Sequence, residues 1–318
     1  NIKFCNRNYY NQIPRHCQYQ FYYASLFDAI IIATVEKVAP SHFFGTLIYS
    51  LSYYIATPCR VFAAAQERKE FYMETRYFND AIIGNKDMTI SFSKNGELLR
   101  LFNQAPDYKQ FFEFFHAGVQ INDSALIYLH NDINNTFRQF YIEGTNVLTT
   151  EIVNTYFNLK ITQIDFAMVK ENVLVRRYHF VNNNTIDLNL KFLTYSKLFT
   201  NINNDACGFV KNDALLQYTH DYTVCTFAKE KISSYQINNA AETIMSGVAS
   251  GKDYIGMSPD STIEYDLGVL KPGEEKIFNL YIHVSDNSEK NLLNDLDQEI
   301  ERYRKIDLKK ELDDTKKY

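Results

Sequence analysis

Alternation of apolar and polar positions with a period of two dominates the chain from about residue 87 onward. In Asp87 to Ser93, Met88, Ile90 and Phe92 fall on one face and Asp87, Thr89, Ser91 and Ser93 on the other, as a half-buried strand requires. Lys94-Asn95-Gly96-Glu97 follows, and Leu98 to Phe102 resumes the run. An Asn-Gly pair between two such runs predicts a type I′ hairpin with positive φ at Asn95 and Gly96. Further runs lie at Ala125–His130, Thr136–Ile142, Thr155–Ile161, Ile164–Val169, Val173–Val181, Ile186–Tyr195, Tyr222–Ala228, Ile232–Ile237, Ser261–Leu267 and Lys276–Val284. Polar breaks such as Asn131-Asp132, Glu143-Gly144, Asn182-Asn183-Asn184 and Lys271-Pro272-Gly273 separate many of them. Short strands at this spacing predict antiparallel sheets packed face to face, not βαβ units. Their number exceeds an immunoglobulin-sized domain, so the predicted fold class is mainly β: one large antiparallel β-sandwich over residues 73–285.

Helix is predicted mainly after Val284, as a linker over residues 286–318. Asp286-Asn287-Ser288-Glu289 has the form of a capping box. Leu292, Leu293, Leu296, Ile300 and Tyr303 then make one apolar stripe at helical spacing. Asp307 to Tyr318 is so charged that it reads as solvated or awaiting a partner surface.

Residues 1–72 differ from the rest. They carry seven Lys and Arg against four Asp and Glu, a net of +3, which leaves −8 for the remainder of a chain of net −5. Their apolar runs show neither period, and three readings compete. The 22 uncharged residues between Lys37 and Arg60 are long enough for a membrane helix, but Pro40, Pro58 and several polar residues interrupt them. Ala63-Ala64-Ala65 imitates a signal-peptidase site, but Arg60 interrupts its approach. The preferred reading is an upstream region read through in frame. The chain begins with Asn, Met73 opens the first patterned stretch, and Arg68-Lys69-Glu70 can be encoded by purines alone, as a bacterial ribosome-binding site would be. Translation from Met73 implies a cytoplasmic protein, and a membrane is not an expected partner.

Across 318 residues, 46% are hydrophobic and 22% charged, a globular balance. The acidic net charge argues against nucleic acid as a partner. Tyr and Phe number 24 each while Gly is held to 11 and Trp is absent, which suits broad pleated sheets better than phosphate-binding loops. The five cysteines form no CxxC pair, so neither a zinc site nor a disulfide framework is indicated. The seven histidines form no HExxH or HxH pair. His130, His179 and His283 fall in or at the ends of predicted strands and read as solvent-facing or structural. No GxSxG, GxGxxG or GxxxxGK[ST] occurs, so no catalytic residue and no cofactor are assigned. Cys207 and Cys225 read as small buried hydrophobes. Glu264 and Asp266 share a strand face and read as exposed. Asn201 to Asp205 is a loop with oxygens for a cation but without EF-hand spacing, so no metal residue is assigned either. The residues by themselves specify a large β domain and no reaction.

A resemblance adds to this. Phe78-Asn79-Asp80-Ala81-Ile82-Ile83-Gly84-Asn85 leads into the first hairpin, followed by Gly96-Glu97-Leu98-Leu99-Arg100-Leu101-Phe102, Pro106-Asp107-Tyr108 and Phe114-Phe115-His116-Ala117-Gly118-Val119. That order resembles the amino-terminal sandwich of prokaryotic glycoside hydrolase family 15, which includes glucoamylases, glucodextranases and some trehalases. Leu267 to Glu274 resembles the family's closing hairpin, and the helical tail resembles the connector to its catalytic (α/α)₆ barrel. Two positions depart from the pattern. Phe102-Asn103-Gln104 stands where Trp is usual, which removes a platform for stacking sugar rings. Lys109-Gln110-Phe111 stands where Pro-Gln-His is usual.

The resemblance implies a non-catalytic fragment: a sandwich that braces a barrel lying beyond Tyr318, whose two glutamates would perform inverting hydrolysis of α-linked glucosides. The expected partners are that barrel and, through it, an α-glucan. Asp107 and Tyr108 are the candidate residues for contact with barrel or substrate. The alternatives are a stand-alone carbohydrate-binding or interaction module and a membrane-tethered sandwich anchored by residues 38–59.

Overall fold

A computed structural model of the chain describes residues 79–103, 109–200, 206–247, 249, 256–286 and 292–318. Residues 1–72, the Asp107–Tyr108 pair, the Asn201 to Asp205 loop and most of the expected capping box lie outside them. Seventeen strands are present among the described residues: β1 (Ala81–Gly84), β2 (Met88–Phe92), β3 (Leu98–Asn103), β4 (Lys109–Gln110), β5 (Phe112–Ile121), β6 (Ala125–Tyr128), β7 (Asn135–Tyr141), β8 (Leu148–Asn154), β9 (Leu159–Ala167), β10 (Val173–Asn182), β11 (Leu188–Leu198), β12 (Cys207–Lys211), β13 (Ala214–Tyr218), β14 (Tyr222–Ala228), β15 (Ile232–Ile237), β16 (Asp260–Leu270) and β17 (Glu275–Asp286). Three helices join them: α1 (Ala240–Ser246), α2 (Leu292–Lys305) and α3 (Leu308–Lys317).

The strands form three wholly antiparallel sheets. One holds β1 to β4 in sequence order, one has the order β15-β16-β11-β5-β6, and the largest has the order β12-β13-β14-β17-β10-β9-β8-β7. The mainly-β sandwich expected from the alternation is what forms. One core cluster draws on all three sheets, including Ile90 and Phe92, Val119 and Phe192, and Tyr178 and Leu280. Burying such side chains contributes roughly 1.5–3 kcal/mol each.

The first hairpin departs from the expected turn. Gly96 N–H donates to Ser93 O at 2.9 Å and Ser93 N–H to Glu97 O at 3.0 Å. Gly96 alone of the Asn-Gly pair is left-handed, at φ 83°, and the register slips so that Phe92 faces Leu98. This is a longer turn with a left-handed glycine, not the two-residue type I′ form. The expected strand Thr155–Ile161 is divided as well. Asn154 Oδ1 accepts the Phe157 N–H at 2.9 Å and Asn158 is left-handed at φ 46°, so a turn separates β8 from β9.

The large sheet is buried on both faces over part of its area. Behind the sandwich core, Val175, Phe227, Tyr281, Ile300, Tyr303 and Leu308 form a second cluster that seats α2 and α3 on the outer face. The charged end of the expected helical linker, read as solvated or awaiting a partner surface, is therefore a helix docked on this sheet. Asp307 caps it by accepting from Lys309 N–H and Lys310 N–H, and Thr315 donates to Ala167 O at 3.3 Å. On α2, Arg302 makes two hydrogen bonds with Glu171, at 2.7 and 3.2 Å. Tyr303 donates to the same carboxylate at 3.1 Å. Hydrogen bonding from Arg302 holds the Glu171 carboxyl below its usual pKa despite partial burial. Helix α1 lies on the outer face of the five-stranded sheet against Leu193 and Tyr195; Asp260 accepts from the N–H groups of Ala240 and Ala241.

Candidate functional site

Two polar clusters meet at the first hairpin, one buried between the sheets and one open. In an inward-facing strand residue alternation normally brings an apolar side chain to the core. On β9 and β10 it brings Gln163, Asp165 and Arg176, each 0% exposed. Arg176 Nε donates to Asp165 Oδ1 and Arg176 Nη2 to Gly96 O, both at 2.8 Å. Gln163 Nε2 donates to Gly96 O at 3.0 Å and to Asp165 Oδ2 at 2.5 Å. The guanidinium lies 5.6 Å from the Phe92 ring centre and 5.7 Å from that of Phe115, within cation–π range.

His130 closes the network, its Nε2 lying 2.8 Å from Gln163 Oε1. Burial, reinforced by the Arg176 charge, pushes the His130 pKa down to about 3, so the ring is neutral at pH 7. Because both amide hydrogens of Gln163 are already donated, His130 Nε2 carries the proton and donates. Burial raises the Asp165 carboxyl against the opposing pull of Arg176. Burial also works against the Arg176 charge, but Asp165 and Tyr178 outweigh it and raise that pKa. The chemistry of this network is mechanical. It has no open face for a substrate, and every hydrogen bond it gives Gly96 fixes the hairpin tip.

The tip in turn fixes Glu97, whose Oε1 lies 3.0 Å from His116 Nδ1 on the open side. There a cleft of about 220 Å³ is lined by Glu97, Leu98, Leu99, Arg100, Gln110, Glu113, Phe114 and Phe115. It lies between β3 and β4 of one sheet and β5 of another. Beside it Phe114, His116 and Tyr195 stand as a row of near-parallel rings, with centroids 5.8 and 5.9 Å apart. Lys197 Nζ reaches Glu113 at 2.6 Å.

Glycosidic hydrolysis needs one carboxyl kept protonated by an apolar setting and a second opposite it. Glu97 and Glu113 each have a basic partner, so neither has the setting of a general acid. Glu264 and Asp266 also fail that test. Glu264 is buried, not exposed as the sequence indicated, and accepts from Ser233 Oγ at 3.0 Å; Asp266 is exposed and caps the Gly268 N–H at 2.8 Å. His130 and His179 are structural as expected, the latter 2.8 Å from Glu275. His283 is buried against Tyr303, and desolvation lowers its pKa to about 4. Cys225 is buried, whereas Cys207 is only partly so. No three His, Cys, Asp or Glu side chains are grouped to hold a metal among the described residues. No helix among them is long and apolar enough to cross a membrane.

The expected site pair Asp107 and Tyr108 lies outside the described residues, although β3 and β4, which flank it in sequence, both line the cleft. Sequence reasoning missed Arg176, Asp165 and Gln163, and also Glu97 and His116. The signal for the first three was a polar residue on the apolar phase of two strands, as in Leu174-Val175-Arg176-Arg177-Tyr178.

Comparison with known proteins places this architecture. No family model matches the chain. It is 28% identical over 213 residues to an uncharacterized glycosyl hydrolase of Methanocaldococcus jannaschii, a match covering 63% of this chain and 33% of the relative. The chain thus spans about a third of the length of the curated relative it matches. A crystal structure of a bacterial glucoamylase complexed with acarbose superposes with a TM-score of 0.56 at 11% identity, over 73% of this chain and 34% of that one. A human-microbiome protein assigned as a kojibiose phosphorylase superposes with a TM-score of 0.52 at 14% identity, over 74% and 34% of the two chains. The polypeptide is related to glycoside hydrolases, and its sandwich fold recurs in larger proteins of carbohydrate chemistry.

Proposed function

We propose that residues 73–318 are the non-catalytic amino-terminal sandwich and helical connector of a glucoamylase-like hydrolase. In this reading the following (α/α)₆ barrel supplies both catalytic carboxylates and cleaves α-linked glucosides, and the sandwich braces it. The observation that carries the reading is the 213-residue match to a glycosyl hydrolase of which this chain spans only a third. The site geometry is consistent with it, because the carboxylates of the cleft are tied to His116 and Lys197. A well-fastened connector also suits a bracing role: Arg302, Tyr303 and Thr315 tie α2 and α3 to the large sheet and its β9–β10 turn. The test is an assay of the 318-residue chain for glucose release from maltooligosaccharides. No release above a buffer control is expected. Hydrolysis that survives further purification would place catalysis inside this chain and overturn the proposal.

A further inference from the structure

We propose that the cleft between β3, β4 and β5 is a binding subsite for one neutral pyranose ring, carried by the sandwich itself. Three features point to that ligand class. The first is charge. Glu97 and Glu113 bring two carboxylates, and Arg100, Lys197 and His116 bring basic groups beside them. An anion entering the cleft meets the carboxylates and a cation meets Arg100, whereas a neutral polyol can donate hydroxyls to the former and accept from the latter. The second is Arg100. It lines the cleft with no ion-pair or hydrogen-bonding partner among the described residues, although a guanidinium carries five donors. The third is shape. A volume of about 220 Å³ lies below the 300–1,000 Å³ of pockets that enclose drug-sized ligands, and Phe114 and Phe115 are among its lining residues, the Phe115 side chain turned into the core. An apolar wall beside a few convergent polar groups is the usual composition of a small-molecule site.

The hairpin geometry supplies the preorganisation. The Glu97 carboxylate is held by His116, and its backbone follows Gly96, whose carbonyl is fixed by Arg176 and Gln163. Phe114 is fixed by the ring row that runs through His116 to Tyr195. Phe102, which stands where the resemblance led to an expected Trp, pairs with Gln110 beside this cleft.

The test is a ligand-observed NMR titration of the 318-residue chain with methyl α-glucoside, alongside methyl α-galactoside, methyl α-mannoside and glucuronate. The choice of a glucoside rests on the functional reading above; the other two neutral sugars separate a wrong sugar from a wrong site. Saturable binding of a neutral pyranoside is expected with a millimolar dissociation constant, the range open to a ligand of about a dozen non-hydrogen atoms. Arg100→Ala, at a half-buried residue outside the hydrophobic core clusters, should weaken it roughly tenfold or more, in line with loss of a charged hydrogen bond. Phe114→Ala should weaken it severalfold. Absence of saturable binding to all three neutral sugars, binding indifferent to Arg100→Ala, or preference for glucuronate would each overturn the proposal.

Discussion

Replacing Arg176 by Met keeps most of the side-chain volume among Phe92, Phe115 and Tyr178 but removes the charge and two hydrogen bonds of 2.8 Å. Hydrogen bonds to charged groups contribute about 1.5–3 kcal/mol each. Removing one member of a buried ion pair typically costs about 3–5 kcal/mol, because the other is left charged or must take up a proton. Arg176→Met should therefore lower unfolding stability by about 3–5 kcal/mol, read as a shift of the urea midpoint at unchanged slope. The double variant Asp165→Leu/Arg176→Met removes the stranded carboxylate, and Gly96 O retains Gln163 as a donor. It should be no less stable than Arg176→Met alone, so the two changes are strongly non-additive. A cost under about 1 kcal/mol for Arg176→Met, or additive losses in the double variant, would refute the account of a dry, mutually dependent network.

Acid should destabilise the domain through its buried histidines. The folded pKa values of His130 and His283, about 3 and about 4, lie below the ordinary 6.5. The unfolded chain therefore takes up protons that the folded one refuses, so stability is complete above pH 6.5 and falls as pH drops toward 4. At about 1.4 kcal/mol per unit for each ring, the loss between pH 6 and pH 4.5 is ~3–4 kcal/mol; denaturant melts across that range should show it, and His130→Gln/His283→Gln should flatten it. Gly96→Ala places a Cβ 2.7 Å from Thr150 Oγ1 at φ 83°, whereas Gly144→Ala at φ 70° meets nothing within 4 Å. The first should cost at least ~2 kcal/mol and the second ~1 kcal/mol, a difference that thermal melts can resolve. Tyr303→Ala empties the packing against Phe227 and removes one of the three hydrogen bonds that Glu171 accepts from α2. It should cost ~3–5 kcal/mol, with hydrogen exchange accelerating in α2 and α3 before the sheets.

Period-two alternation was enough to reveal a large antiparallel sandwich, because most strands have one face on the core. It failed where both faces are covered. In β5, Phe112 and Phe115 enter the main core while Phe114 packs toward α1, so Phe-Glu-Phe-Phe does not alternate. In β13, Leu215 faces one cluster and Leu216 the other. Two turns were also overlooked: Asn122-Asp123 and Asn212-Asp213 are left-handed at both residues, the geometry sought at Asn95-Gly96. The docking of helix α3 on the sheet was hidden by its charge, since Leu308, Leu312 and Thr315 make a sparse stripe among lysines and acids. The cleft could not be read because its residues come from two sheets that only the fold brings together.

The claim that this sandwich serves a larger glycoside hydrolase is tested most directly in cells carrying the native gene. An antibody raised against the purified 318-residue chain can deplete their lysate, followed by assay of the supernatant on maltooligosaccharides and sizing of the captured polypeptide. The account predicts that α-glucosidase activity leaves with the antibody, on a polypeptide about twice as long as this chain, in proportion to its relative. Activity that stays behind while the antibody removes only a species near 37.2 kDa would contradict it.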